Sequence, residues 1–356
     1  MTHRERLVMA LTRHIPDRVP RELYLSPAVK QALQAAVGNE DLVAAFDLDM
    51  SWERLCGYGP SIHQPDFAHY FDTIPEGATY SEWGEMWYPS GFYHFSGQKK
   101  PMARFTSIRE LEDYPFPDID AEYRYADLPA KVEAMKRSGY AAISAYECGF
   151  FEQAHGVRGM DHILLDLKAN PDFAHALLER IAVRKIGSAV QYARAGVDVL
   201  LIGDDWGHEQ GLFMSPATWR EVFGPLLQRE VAAVRAVRPE VIIAYHSCGA
   251  IEPLLPELIA CGIDVWHSVQ PEANDVARVK RLYGQHLAFW GTVGVQSTFP
   301  YATPAEMDRV VKERIATVGQ GGGLLIAPAH VIEPETPVEN VLAFVHAVDK
   351  YGAYTV

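Results

Sequence analysis

From residue 120 onward, short apolar runs alternate with longer amphipathic stretches in a regular rhythm. The runs at 140–147, 197–204, 241–246, 263–269, 286–292 and 323–328 are apolar nearly throughout, the pattern of strands buried on both faces. Between them the apolar positions recur at helical spacing and predict helices over 128–138, 161–167, 171–195, 216–237, 251–261, 275–283, 304–318 and 337–351. Upstream, Thr2 with Glu5 three residues on, and the stripe Leu7, Val8 and Leu11, predict a helix over 2–13. A first strand over 21–25 follows, then a helix from Ser26-Pro27 to about residue 37. A second strand is expected over 45–52, with Asp47 and Asp49 on one face and Leu48 and Met50 on the other. Six strand–helix units plus two early strands make eight, the count of an α/β fold of the (β/α)8 TIM-barrel type, one domain over residues 1–356. An open doubly wound sheet is the alternative, but no glycine-rich phosphate turn follows the first strand.

Residues 53–118 break the rhythm. They are rich in aromatics, glycine and proline, and EWGEMW and PSGFYHF predict an aromatic-rich β-hairpin insertion after the second strand. Two readings stand: a mini-core folded over one end of the domain, or a lid over a pocket.

Composition narrows the function. With a formal charge of −14 the chain is not a nucleic-acid binder, since a phosphate backbone needs a basic surface. Cys56, Cys148, Cys248 and Cys261 are too few and too scattered for a disulfide framework and suggest a reducing compartment. The start, MTHRERLVMAL, carries charges where a signal peptide has its apolar core, and no run reaches membrane-spanning length. The expectation is a soluble, cytoplasmic protein with no membrane partner.

Candidate chemistry gathers where barrels carry it, at the carboxyl ends of the strands. Read in order, those ends hold Glu147 and Cys148, then Asp204 and Asp205 with His208, then His246 and Cys248. His267 and Gln270 follow, then Thr292 and Gln296, and last His330. His246 and Cys248, two residues apart at a strand end, can point the same way and build half of a zinc site. A buried cysteine beside a hydrogen-bonded histidine is the plainer reading of the same pair. Asp204, Asp205 and Glu147 are candidate catalytic carboxylates or metal ligands; alternatively one caps a following segment. Glu152 and Arg158 in the next turn, with His208 and Gln270, are candidates for binding substrate.

These blocks resemble the uroporphyrinogen decarboxylase-like superfamily, which also contains corrinoid-dependent methyltransferases. The resemblance runs from about residue 141 to the C-terminus. It is carried by VLLIGDDWGHEQGLFMSPATWREVFGPLL, IIAYHSCGAIEPLLPELIACGIDVWHSVQP, LAFWGTVGVQSTFP and GGGLLIAPAHVIEPETPVENVLAF. It implies a (β/α)8 barrel. Decarboxylases of the family carry an Arg-Gln-Ala-Gly-Arg motif near the N-terminus that binds the porphyrinogen's carboxylates. Here the stretch reads Val19-Pro20-Arg21-Glu22-Leu23-Tyr24, with a single arginine beside an acid. The zinc-binding methyltransferase branch instead has a His-x-Cys pair and, after the last strand, a cysteine in a segment similar to Ala327–Pro337. That alignment puts His330 where the cysteine stands. The resemblance therefore implies a zinc ion on His246, Cys248 and His330. It also implies a methyl group passed between a small substrate, a methyl ether or thiol, and a corrinoid held on a partner protein; a homodimer is a candidate assembly. A metal-free decarboxylase of a small carboxylate acting through Asp204 or Asp205, and a non-catalytic partner of a corrinoid protein, are the alternatives.

Overall fold

The structure, a computed structural model, describes residues 1–92 and 95–354. Six parallel strands form one sheet in the order Leu324–Pro328, Ala288–Val293, Val265–Val269, Ile242–His246, Val199–Gly203 and Glu147–Cys148. Two slighter staves close it into a barrel. Arg21 bridges to Ile326 on one open edge, and Cys56 bridges to Ser144 near the other. The Asp49 amide donates to the Arg21 carbonyl at 2.9 Å, which joins the two staves.

Alternation along the strands sorts the side chains. Ile143, Val199, Leu201, Ile242, Ala244, Val265, Ala288, Trp290, Leu325 and Ala327 pack together inside the ring. Leu7 and Leu11 join them from the helix His3–Leu11, which plugs the amino-terminal end. Their neighbours Leu200, Ile202, Ile243, Tyr245, Trp266, Phe289 and Ile326 face the surrounding helices. The barrel prediction holds, with its second early stave at Cys56 rather than over 45–52.

Several expected elements take another form. Residues 45–52 are not a strand. Asp41 accepts from the amides of Val43 and Ala44 and caps a short helix, Leu42–Ala45, and Asp47 then turns the chain at φ +48°. The alternating acids that suggested a strand face serve buried cations instead. Asp49 is fully buried and takes Arg6 at 2.7 Å, Arg18 at 2.7 Å and His3 at 3.0 Å. The helix expected over 216–237 is two, Pro216–Val222 and Gly224–Val237, broken ahead of Pro225. Residues 150–158, read from sequence as a turn, form the helix Phe150–Arg158.

The insertion holds a three-stranded antiparallel sheet, Thr79–Tyr80, Met86–Phe92 and Phe95–Lys99. The tip of the expected hairpin, at 93–94, lies outside the described residues. Phe67, Trp83, Met102, Phe105 and Tyr114 are buried and belong to the same apolar cluster as the helix Phe150–Arg158. Among the described residues, no helix is long and apolar enough to cross a membrane.

Candidate metal centre at the barrel mouth

Parallel pairing places Gly203 beside His246, His246 beside His267, and His267 beside Trp290. Four neighbouring strands thus present one layer at the top of the barrel. After His246 the chain turns through Ser247-Cys248-Gly249. Gly249 sits at φ +85°, and a Cβ there would lie 2.4 Å from the Gly207 backbone, so only glycine permits the turn. Gln270 accepts the Gly249 amide at 2.6 Å and Asn274 donates to its carbonyl at 2.9 Å.

This turn brings Cys248 back over His246. The Cys248 Sγ lies 3.5 Å from His246 Nε2, and Asp205 Oδ1 lies 3.4 Å from the same nitrogen. Asp205 Oδ1 also accepts the Cys248 amide at 2.7 Å. The three donor atoms all lie within 4.8 Å of one another. One imidazole nitrogen, one sulfur and one carboxylate oxygen at that spacing fit a zinc ion, with room left for substrate.

Electrostatics supports the same geometry. Burial opposes a charged His246, yet Asp205 and the Cys248 sulfur outweigh it and lift the imidazole to about 10. Burial likewise opposes a charged Asp205, but His246 holds that carboxyl below its ordinary range. Behind the trio, His267 Nδ1 lies 2.9 Å from His246 Nδ1. Burial, then the charge of His246, drives His267 well below its ordinary value. A neutral His267 accepts from His246 Nδ1–H and leaves Nε2 as the nitrogen that faces Asp205 and Cys248. His267 is itself fixed by rings, with Trp290 at 4.4 Å and Trp52 at 5.3 Å between centroids. Both indoles donate to one buried carboxyl, Glu22, at 3.0 and 3.2 Å. Burial pushes Glu22 up to about 8 against those two hydrogen bonds.

The other sequence candidates are dispersed. His330 stands on the rim with its ring centroid 6.5 Å from that of His246, beside the trio; the third close donor is Asp205. Glu152 faces the mouth: its Oε2 accepts the Tyr146 hydroxyl at 2.8 Å, and burial followed by Asp205 raises its carboxyl. Asp204 is fully buried and caps the helix Phe150–Arg158, accepting from Phe150 at 2.8 Å and Glu152 at 2.7 Å. Burial and Glu152 together push it well above the carboxylate range.

Glu147 turns behind the barrel wall to Ser188 at 2.5 Å and Lys185 at 3.8 Å. Arg158 lies under the insertion, held by Asp166 at 2.8 Å and by the carbonyls of Met102 and Phe105. A buried guanidinium committed to those partners is directed under the insertion and not into the mouth. His208 is exposed on the short ladder Gly207–His208 with Gly211–Leu212. Gln270 holds the Cys248 turn. Sequence reading missed Tyr146, Trp52, Trp290 and Glu22. A lone acid inside the apolar run 19–25 was the one available signal for the last.

Fold and site together define a parallel barrel with a nitrogen, sulfur and carboxylate donor set at the carboxyl end of its strands. The chain belongs to the uroporphyrinogen decarboxylase (URO-D) family, which it matches over residues 152–351. It is 32% identical over 171 residues to the methylcobamide:CoM methyltransferase MtaA of Methanosarcina barkeri, covering 47% of each chain. It is 27% identical over 192 residues to uroporphyrinogen decarboxylase of Coxiella burnetii, covering 52% of this chain and 50% of that one. The chain thus spans about half the length of the curated relatives it matches. A solved methyltransferase structure from Methanosarcina mazei superimposes over 99% of both chains with a TM-score of 0.64 at 19% identity, which shows a shared fold.

Proposed function

We propose that this chain is a zinc-dependent methyltransferase that moves a methyl group between a small substrate, a methyl ether or thiol, and a corrinoid on a partner protein. The observation that carries the reading is the convergence of Asp205, His246 and Cys248 on one point of the barrel mouth. These three residues would hold the ion, with His330 on the rim as a further donor or a substrate contact. A zinc ion there would acidify a thiol or polarise an ether oxygen. The chain's own residues do the rest. His267 orients His246, Gln270 and Asn274 fix the Cys248 turn, and the Tyr146 hydroxyl holds the Glu152 carboxyl, which burial and Asp205 raise above its ordinary range. The names of two relatives, the MtaA methyltransferases of Methanosarcina barkeri, support methyl transfer.

Two observations weigh against the decarboxylase alternative. Arg21, in the stretch aligned with the decarboxylase arginines, turns away to Asp349 at 2.5 Å. Asp204 spends its oxygens on backbone amides and is sealed from substrate. The same reading takes the chain as one barrel unit working in the cytoplasm, with residues 53–118 as a lid and a homodimer as its assembly.

The test is metal content and methylcobalamin turnover of protein purified without chelators. Zinc should co-purify, chelation should abolish turnover, and added zinc should restore it. Cys248→Ala should lose zinc and turnover together. Full turnover by exhaustively metal-free protein would end the proposal.

A further inference from the structure

Above Cys248 opens a cavity of about 500 Å3 bounded by Gln270, Gln296, Tyr301, His330, Glu333 and Glu335. Two of these are carboxylates, and among the described residues that line it there is no lysine or arginine. Outside that lining two more carboxylates touch Gln296: Glu209 lies 3.3 Å from its side-chain amide, and Glu272 accepts the backbone amides of Gln296 and Ser297 at 3.2 Å. Asp205 lies at the floor beside Cys248.

The basic side chains attached to these strands are spent elsewhere. Arg21 is bound to Asp349. Arg314 donates to the Thr292 carbonyl and pairs with Glu313. Lys185 sits behind the wall with Glu147. A sulfonate, carboxylate or phosphate leaving water needs a guanidinium or ammonium partner, and the Glu333 and Glu335 carboxylates at the rim repel it before it arrives. An ammonium group meets the opposite field, and the exposed ring of Tyr301 offers it a face.

We infer that the mouth excludes anionic methyl acceptors and takes a small uncharged or, better, cationic one, of which an aliphatic aminothiol is the simplest. The inference rests on the methyl-transfer reading for its chemistry, but not for its binding preference. In the transfer, a sulfur–carbon bond forms as the cobalt–carbon bond of the methylcorrinoid breaks. The electron pair of that bond stays with cobalt, and the thiol proton leaves to solvent.

Three thiols of similar size test it on the zinc-loaded full chain: cysteamine, 2-mercaptoethanol and 2-mercaptoethanesulfonate. Dissociation constants come from calorimetry, and kcat/KM from methylcobalamin consumption. Affinity should fall in that order, by at least about tenfold from first to last at low salt, and the spread should shrink as salt rises. Glu335→Lys, at an exposed rim position, should narrow or invert the order. Binding of the sulfonate as tight as that of cysteamine, or no binding of any of the three, overturns the inference. The expected order of binding without turnover of any thiol would uphold the charge preference and bring down the methyl-transfer reading instead.

Discussion

The two halves of this barrel are built by different means. From Val199 onward each strand pairs with its neighbours over several residues, and the helices cover the outward rows with apolar side chains. Before residue 150, apart from the two-residue strand Glu147–Cys148, the ring is closed by single bridges at Arg21, Leu25, Cys56 and Ile143. Those bridges are reinforced by buried ion pairs about Asp49 and by Arg21 on Asp349. The family match, residues 152–351, falls on the regular half, and so do all three close metal-competent donors. The donor set therefore sits where the register is most tightly specified. The irregular half contributes the insertion and the two partners, Glu22 and Trp52, that steady the layer behind the site.

The largest effect is expected in the irregular half. Asp49→Ala takes the buried carboxylate from Arg6 and Arg18 and leaves them only Asp17 and Asp47 nearer the surface, and removing one partner of a buried pair costs about 3–5 kcal/mol. Urea unfolding should report that loss while the folded protein keeps its zinc stoichiometry. Loss of zinc at full stability would contradict the division between the halves.

His267→Phe works the other way. It keeps an aromatic ring between Trp52 and Trp290 but removes the nitrogen that orients His246. Zinc affinity should drop roughly 10–100-fold, as for other partners of a ligating histidine. An unchanged zinc dissociation constant would show that His267 is packing alone.

Glu22→Gln probes the seam between the halves through pH. The Glu22 carboxyl is held at about 8 in the fold against an ordinary 4.5. The unfolded chain therefore gives up this proton first. The stability linked to it is complete below about 4.5 and is lost as pH climbs toward 8. Glutamine carries no such proton, so melting temperature plotted against pH should be flatter across that window. A variant curve parallel to the parent's would place the titration elsewhere.

The smallest effect belongs to His208→Ala. An exposed side chain away from the trio should change stability by no more than about 0.5 kcal/mol and leave turnover intact. A tenfold or larger loss of turnover would return His208 to the site.

The strand–helix rhythm after residue 120 was readable because buried parallel strands must be apolar along their length, and that constraint is local. His246 and Cys248 were readable as a candidate pair from their spacing at a strand end, but the strand stops at His246 and it is the turn at Gly249 that brings the sulfur back over the imidazole. The early staves were not. Alternation at 47–50 is the same whether the acids face water or buried arginines, and those arginines come from positions 6 and 18.

The pattern of residues along the chain thus pointed to a parallel barrel and to an imidazole and a thiol as candidates at its mouth. Only the tertiary structure decided the rest. Asp205 joins that pair while His330 stands at the rim, Asp204 became a helix cap, and Glu147, Arg158 and Gln270 went to structural partners. The reason is physical: which of several equivalent polar groups reaches a site is fixed by neighbouring strands and turns dozens of residues away in sequence.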